Sequence, residues 1–367
     1  MKILKMFLFL ISGFYTSFFL QTSDKNTIPM RGYTSIKAND IGVISFIKCS
    51  PTNGKIAFTA YRGNICSLFV FDLSEKKVQK LVDGVRAPIN WTIDGEGIIY
   101  QGQDLKASYL YDIKNASSKL IVKNGKYLKF SPSGLVYAYV PRSEKLENSL
   151  GLMIVNKTNG KSERFFKKLL IMDYNWSPLE KYVAAIGLPS ESSSAWELAA
   201  FRSVVIANIK TKKEIVVDAH AVPSVSAPPV FLTPDKLIYP FVEVKGNFIP
   251  PPPPEQEAVK SIWGVKLYEI ATGRSKTVLE RASGSVIAPS GLLLSTDGKK
   301  IAIVLPEGIH SRILICDTDK FQIIKEILAD YNEAPMDWCP SGKEIVYVKD
   351  NHLWIIPIYG EKAKLLY

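Results

Sequence analysis

The stretch SPTNGKIAF at residues 50–58 places a Ser-Pro opener and a glycine ahead of an apolar run, and LFVFD at 68–72 follows as a second apolar run closed by an acid. Pro presets the first φ of a turn and Gly tolerates the positive φ that a tight hairpin needs, so SPTNGKIAF reads as a hairpin tip leading into a strand. The motif returns as TIDGEGIIY from Thr92, SPSGLVYAY from Ser131, SPLEKYVAA from Ser177, TPDKLIYPF from Thr233, STDGKKIAI from Ser295 and CPSGKEIVY from Cys339. The second signature keeps pace, ending at Asp72, Asp112, Asn156, Asn208, Glu269, Asp317 and Pro357. A basic, β-branched run then follows in most units, as in Val78–Val82, Ile323–Ile327 and Ala363–Leu366. Each unit therefore holds four strands, A to D, joined by hairpins. Seven such units, with 39 to 62 residues between successive motifs, predict an all-β chain folded as a β-propeller of about seven four-stranded blades, with six or eight as the adjacent alternatives.

The pattern W/F-S-P-x-G-K-x-I-A-F, then L-Y-V-x-D, then a strand with K-x-L resembles the WD-like propeller repeat of the TolB family, which is also similar to the propeller of dipeptidyl peptidase IV-like proteins. The resemblance covers residues 43–367 and implies a fold rather than an activity, because such propellers serve as scaffolds, binding proteins and enzymes. TolB-type rings typically have six blades and an additional amino-terminal α/β domain. Residues 21–42 are too few for that domain, so a role in outer-membrane maintenance is not carried over. No Gly-x-Ser-x-Gly nucleophile elbow occurs, and the last outer strand is expected to run to Tyr367, so a peptidase domain is not expected.

Composition narrows the function classes. The 367 residues include 46 Lys and Arg against 35 Asp and Glu, with 47% hydrophobic and 22% charged residues, which describes a folded and basic protein. Met1–Leu20 sets Lys2 and Lys5 before an apolar run from Met6 to Leu20 and reads as an export signal, cleaved or retained as an anchor. Residues 21–42 form a short leader, and the propeller is expected outside the cytoplasm, in the periplasm or beyond. Export and the scattering of Lys argue against nucleic acid as a partner. KKLL at 167–170 and KTKK at 210–213 read as solvated strand ends, and the charge supports at most a mild preference for anionic membrane surfaces or acidic polymers.

Material for catalysis is thin. His220 reads as part of a connector between units 4 and 5, while His310 and His352 precede the third strands of units 6 and 7 and could approach each other. No acidic cluster supports them, so catalytic residues, metal ligands and cofactors are all expected to be absent. Cys49 and Cys339 occupy comparable places in the first and last units and could pair across the closure of a ring in an oxidising compartment; buried, unpaired thiols are the plainer expectation. The sequons at Asn115 and Asn156 fall on hairpin turns and need no explanation beyond chance.

Length variation is the informative signal. From hairpin motif to the end of the third strand, units 3, 4 and 5 take 24, 30 and 35 residues against 17 to 21 in the others. The extra residues fall between strands B and C, and less strongly between D and the next A, connections that emerge on one face of a propeller. Unit 4 inserts Leu188–Phe201, a Ser-rich stretch compatible with a helical turn that starts near Ser194 and carries Trp196 and Glu197. Unit 5 inserts Lys245–Ser261, in which Pro250, Pro251, Pro252, Pro253 and Pro254 must adopt polyproline II ahead of Glu255. One reading is a stiff spacer. The other is a docking arm formed by Trp196, Glu197, Phe248, Pro250–Pro254 and Glu255, since a preformed helix loses little entropy on binding. The expectation is a non-enzymatic binding or assembly scaffold for another protein or a cell-envelope component; a carbohydrate-active lyase or hydrolase using the central channel and a small-ligand sensor are the alternatives.

Overall fold

The computed structural model describes residues 41–52, 54–190, 202–222, 227–245, 260–283, 289–307, 310–329, 335–360 and 362–367. They form seven four-stranded antiparallel sheets, each a meander in chain order. Blade 1 holds β1 (Val43–Cys49), β2 (Lys55–Arg62), β3 (Ile65–Asp72) and β4 (Lys77–Asp83), and blade 2 holds β5 (Val85–Trp91), β6 (Gly97–Gly102), β7 (Ala107–Asp112) and β8 (Ser117–Lys123). Blade 3 comprises β9 (Gly125–Phe130), β10 (Val136–Pro141), β11 (Leu152–Asn156) and β12 (Ser162–Phe165), with a four-residue helix α1 (Leu146–Ser149) between β10 and β11. Blade 4 comprises β13 (Leu169–Trp176), β14 (Tyr182–Pro189), β15 (Arg202–Asn208) and β16 (Glu214–Val222). Blade 5 is built of β17 (Val230–Thr233), β18 (Lys236–Lys245), β19 (Lys260–Glu269) and β20 (Arg274–Ser283). Blade 6 has β21 (Gly291–Leu294), β22 (Lys300–Glu307), β23 (His310–Asp317) and β24 (Ile323–Ala329), and blade 7 has β25 (Met336–Trp338), β26 (Glu344–Lys349), β27 (His352–Pro357) and β28 (Lys364–Leu365). First strands meet first strands: β17 touches β13 and β21, β21 touches β25, and β1 touches both β5 and β25. Strand A is therefore innermost and the ring is closed, a seven-bladed β-propeller.

Burial follows from that geometry. Strands B and C are covered by a neighbouring blade on each face, so their sequences are continuous apolar runs without alternation: β6 is buried throughout and β14 is buried from Tyr182 to Leu188. Fully burying one such Val, Ile or Phe contributes about 1.5–3 kcal/mol. Strand D is the outer edge. In β8 the first four residues, Ser-Ser-Lys-Leu, are exposed, and lysines on such edges discourage pairing with other chains. The unit 7 edge expected over Ala363–Leu366 is a strand at Lys364–Leu365, continued by backbone hydrogen bonds from Leu366 and Tyr367 to Leu353.

The two repeat signatures have separate physical causes. In the A–B hairpin a hydroxyl, buried at Ser177 and Ser295 and half-buried at Thr92, accepts the backbone N–H five residues on: Gly97 to Thr92 Oγ1 at 2.8 Å, Tyr182 to Ser177 Oγ at 2.9 Å and Lys300 to Ser295 Oγ at 2.9 Å. The turn glycine that follows takes φ between +62° and +72° in Gly54, Gly95, Gly134, Gly298 and Gly342. Blade 5 departs from this, since β17 and β18 are joined by Pro234 and Asp235 alone. At the C–D hairpin the terminal Asp or Asn folds back on the turn, as Asp72 Oδ1 accepts the Ser74 and Glu75 N–H groups and Asn208 Oδ1 those of Lys210 and Thr211. Both sequon asparagines serve such turns: Asn156 Oδ1 accepts from the Thr158 N–H, and Asn115 Nδ2 donates to Asp112.

Ser177→Ala should lower stability by about 1–2 kcal/mol, because the Tyr182 N–H loses a buried acceptor. Urea unfolding followed by tryptophan fluorescence checks this, with Leu179→Ala, at an exposed hairpin position, as the near-neutral control.

Candidate interaction face

In an antiparallel meander the A–B and C–D turns lie at one end of the strands and the B–C and D–A connections at the other. The two ends of this ring differ sharply. Between strands A and B the connection is five residues long in six blades, and between C and D it is four to six residues in all seven. Between B and C, by contrast, the lengths from blade 1 to blade 7 are 2, 4, 10, 12, 14, 2 and 2 residues. The D–A connections lengthen as well, from a single residue after β4 and β8 to seven after β16 and β20. One face is uniform, and the other is elaborated on three consecutive blades. The insertions are shorter than the sequence suggested, because ladder pairing carries β14 to Pro189, β18 to Lys245 and β19 back to Lys260. Trp196, Glu197, Phe248, Pro250–Pro254 and Glu255 lie outside the described residues, as do the export signal and the leader up to residue 40.

Charge is also distributed unevenly between the ends. Toward the A–B hairpins, cations on the inner strands are matched. Lys129 Nζ sits 2.7 Å from Asp173 Oδ1 and 3.2 Å from Asn175 Oδ1 on the next blade, and Lys48 Nζ sits 3.0 Å from Asp337 Oδ1. Toward the elaborated face, Arg86 near the start of β5, Lys126 near the start of β9 and Arg142 just after β10 make no ion pair among the described residues. Arg86 Nη1 donates to Tyr61 Oη at 3.2 Å, its guanidinium lies 5.8 Å from the Tyr61 ring centre, and its buried Nε has no hydrogen-bond partner among the described residues. Arg142 Nη1 donates to the Leu105 carbonyl at 2.9 Å. Burial, helped by repulsion from Arg142, brings the Lys126 ammonium down to about 8, while its Nζ rests 4.7 Å from the Tyr127 ring centre. Arg202, which opens β15 where the blade 4 insertion ends, is only 5% exposed, and burial pulls it down to about 10. A shallow cleft of about 370 Å³ lies at the same end of blade 2, lined by Asp83, Gly84, Tyr100, Gly102, Gln103, Asp104 and Tyr109.

The three histidines lie on strands of blades 4, 6 and 7. His220 lies within β16 rather than in a connector, because the outer strand of blade 4 extends to Val222. His310 and His352 open the C strands of adjacent blades; His310 is exposed, and His352 Nδ1 sits 2.5 Å from the Asp350 carbonyl. Among the described residues no group of three His, Cys, Asp or Glu could hold a metal, and no helix is long and apolar enough to cross a membrane. All four cysteines are free; Cys66 and Cys316 are buried in blades 1 and 6, and Cys49 and Cys339 belong to one apolar cluster between blades 1 and 7. The cations of the elaborated face escaped the sequence reading because Arg86, Lys126, Arg142 and Arg202 share no motif; only their places at the same end of the strands, visible once the strand bounds are known, group them.

No protein-family model matches the chain, and no curated protein matches its sequence. Solved structures do match. A hydrazine synthase chain of Kuenenia stuttgartiensis superposes with a TM-score of 0.65 at 16% identity over 91% of this chain and 99% of that one. The Cps50 (Swd1) β-propeller domain of Myceliophteria thermophila gives 0.57 at 11% identity over 87% and 98%. A puromycin-hydrolyzing peptidase of Mycobacterium tuberculosis gives 0.59 at 11% identity over 93% of this chain and 56% of its own. At such identities the likeness defines a fold class, the WD-like propeller also used by peptidases, and the resemblance read from the repeats holds at that level.

The low Lys126 value carries a pH signature. A cation whose folded value lies below its unfolded one near 10.5 destabilises the fold at neutral pH, and the penalty is relieved as pH rises from about 8 toward 10.5. Lys126→Met should therefore be more stable than the wild type at pH 7, with the difference shrinking steadily between pH 8 and 10; urea midpoints across that range give the measurement.

Proposed function

We propose that the chain is an exported, non-enzymatic binding or assembly propeller that engages another protein or cell-envelope component through the B–C face of blades 3–5. The observation that carries this reading is the concentration of long B–C connections, 10, 12 and 14 residues, on three adjacent blades of a ring whose opposite face is nearly uniform. Loops on a rigid scaffold change without disturbing the core, which is why binding surfaces accumulate there. The unmatched cations Arg86, Lys126 and Arg142 at the same end favour a partner with acidic groups, in keeping with the basic composition. The docking residues in this reading are Trp196, Glu197, Phe248, Pro250–Pro254 and Glu255. Export rests on the layout of Met1–Leu20, with membrane proximity if that segment is retained.

Replacing residues 246–259 with a short Gly-Ser linker should leave thermal stability nearly unchanged, since loop length costs only about 0.6 kcal/mol per doubling, and should weaken recovery of the partner in a pull-down from the native envelope. Lost stability with unchanged recovery would make the arm structural and sink the proposal. Export has its own test. A carboxyl-terminal fusion to a fluorescent protein that is dark in an oxidising periplasm should stay dark, while an alkaline phosphatase fusion should be active; the reverse pattern places the chain in the cytoplasm.

A further inference from the structure

The interface between blades 7 and 1 departs from the others at two repeat positions at once. In blades 2, 4 and 7 the residue before the hairpin position is Trp, and its indole N–H donates back to the preceding blade: Trp91 to the Lys48 carbonyl at 2.9 Å, Trp176 to Lys129 at 3.4 Å and Trp338 to Leu293 at 2.8 Å. In blade 1 that position is Cys49. The hairpin position itself is Ser or Thr in six blades, namely Ser50, Thr92, Ser131, Ser177, Thr233 and Ser295, and is Cys only in blade 7, at Cys339. Two cysteines at positions held elsewhere by other residues thus fall on the two sides of a single seam. The Cys49 backbone is held there because its N–H donates to Asp337 Oδ2 at 2.9 Å while Lys48 holds the other oxygen of the same carboxylate, and the Cys339 N–H donates to the Glu344 carbonyl at 2.9 Å. Both side chains pack in the one apolar cluster shared by blades 1 and 7, and Cys339 is the strongest influence on the Cys49 thiol.

We propose that Cys49 and Cys339 are the site of a disulfide that locks the ring shut. Joining them removes two protons and two electrons, which a small-molecule or protein disulfide accepts: its S–S bond breaks, a Cys49–Cys339 bond forms, and two thiols leave. The neighbouring Cys339, then burial and the nearby Asp337 carboxylate, push the Cys49 thiol well above its ordinary value, so thiolate is scarce in the closed ring. Exchange is therefore slow once the seam has shut, and oxidation belongs to the stage when it is still open. Cys66 and Cys316 are held by burial, up to about 11 and about 12, within separate blades and stay reduced. A bond spanning nearly the whole chain constrains the unfolded state strongly, since the loop it closes is long. In the cell this needs an oxidising compartment and so rests on the export reading; with purified protein it does not.

The test uses the full-length chain refolded in a mixture of oxidised and reduced glutathione. After denaturation two of the four thiols should remain, peptide mapping should join the peptides of Cys49 and Cys339, and Tm should exceed that of the reduced protein by about 5 °C. Cys339→Ser restores the hydroxyl of the other blades, so it should fold, keep its thiols and lose the redox dependence of Tm. Four free thiols after oxidation, a bond to Cys66 or Cys316, or a linked protein no more stable than the reduced one would each overturn the proposal. A cytoplasmic reporter pattern beside a normally oxidising purified protein would overturn the export reading alone.

Discussion

A blade whose B and C strands are apolar on both faces has no stable surface of its own. Ile56, Phe58, Ile98, Val183, Ile206, Leu237, Ile301 and Ile345 are all fully buried, and each belongs to an apolar cluster shared with a neighbouring blade. The requirement passes from blade to blade until it returns to blade 1, so the whole ring depends on the seam where Ile44, Ile47 and Phe58 meet Cys339, Val346, Val348 and Leu353. Among the described residues blade 7 takes all four of its strands from β25–β28, without an interwoven strand from the start of the chain. Specific polar contacts do that work instead. Asn351 accepts from the Ile44 N–H at 2.9 Å and donates to the Gly42 carbonyl at 2.8 Å, and Asp337 bridges to Lys48 and Cys49.

The parts of the fold visible in the sequence are those fixed by local chemistry. Ser177 or Ser295 before a turn and Asp72 or Asn208 after a strand satisfy nearby backbone N–H groups within a few residues, so the same letters recur wherever the same turn is made. Seven copies of a local rule give the blade number without any knowledge of packing. The seam contacts of Asn351 were invisible because they join residues more than 300 positions apart. The strand-D placement of His220 and the true ends of β18 and β19 were missed for a related reason: ladder hydrogen bonds carry a strand into sequence that has lost its apolar pattern, as at Lys245 and Lys260. The candidate face was half legible. Its uneven loop lengths are a matter of counting, whereas Arg86 and Lys126 gain meaning only by sharing one end of the ring.

The two ends also divide the physical tasks. At the hairpin end, hydroxyls and positive-φ glycines fix each turn, and Lys129–Asp173 pairing ties blade 3 to blade 4. At the other end the short D–A connections after β4 and β8 give way to longer ones after β16 and β20. A propeller built this way can be altered on one side while the other keeps the blades in register.

The tryptophan contacts between blades all point the same way. Trp91, Trp176 and Trp338 each reach back to a carbonyl on the blade that precedes them in the chain. During synthesis, when amino-terminal segments emerge first, each indole therefore meets an acceptor that has already left the ribosome, and none has to wait for one still to be made. Assembly acquires a direction, with blades adding in order like turns of a closing spiral. Cys49 is the exception to that order: it emerges with the first blade, and its neighbour Cys339 comes with the last.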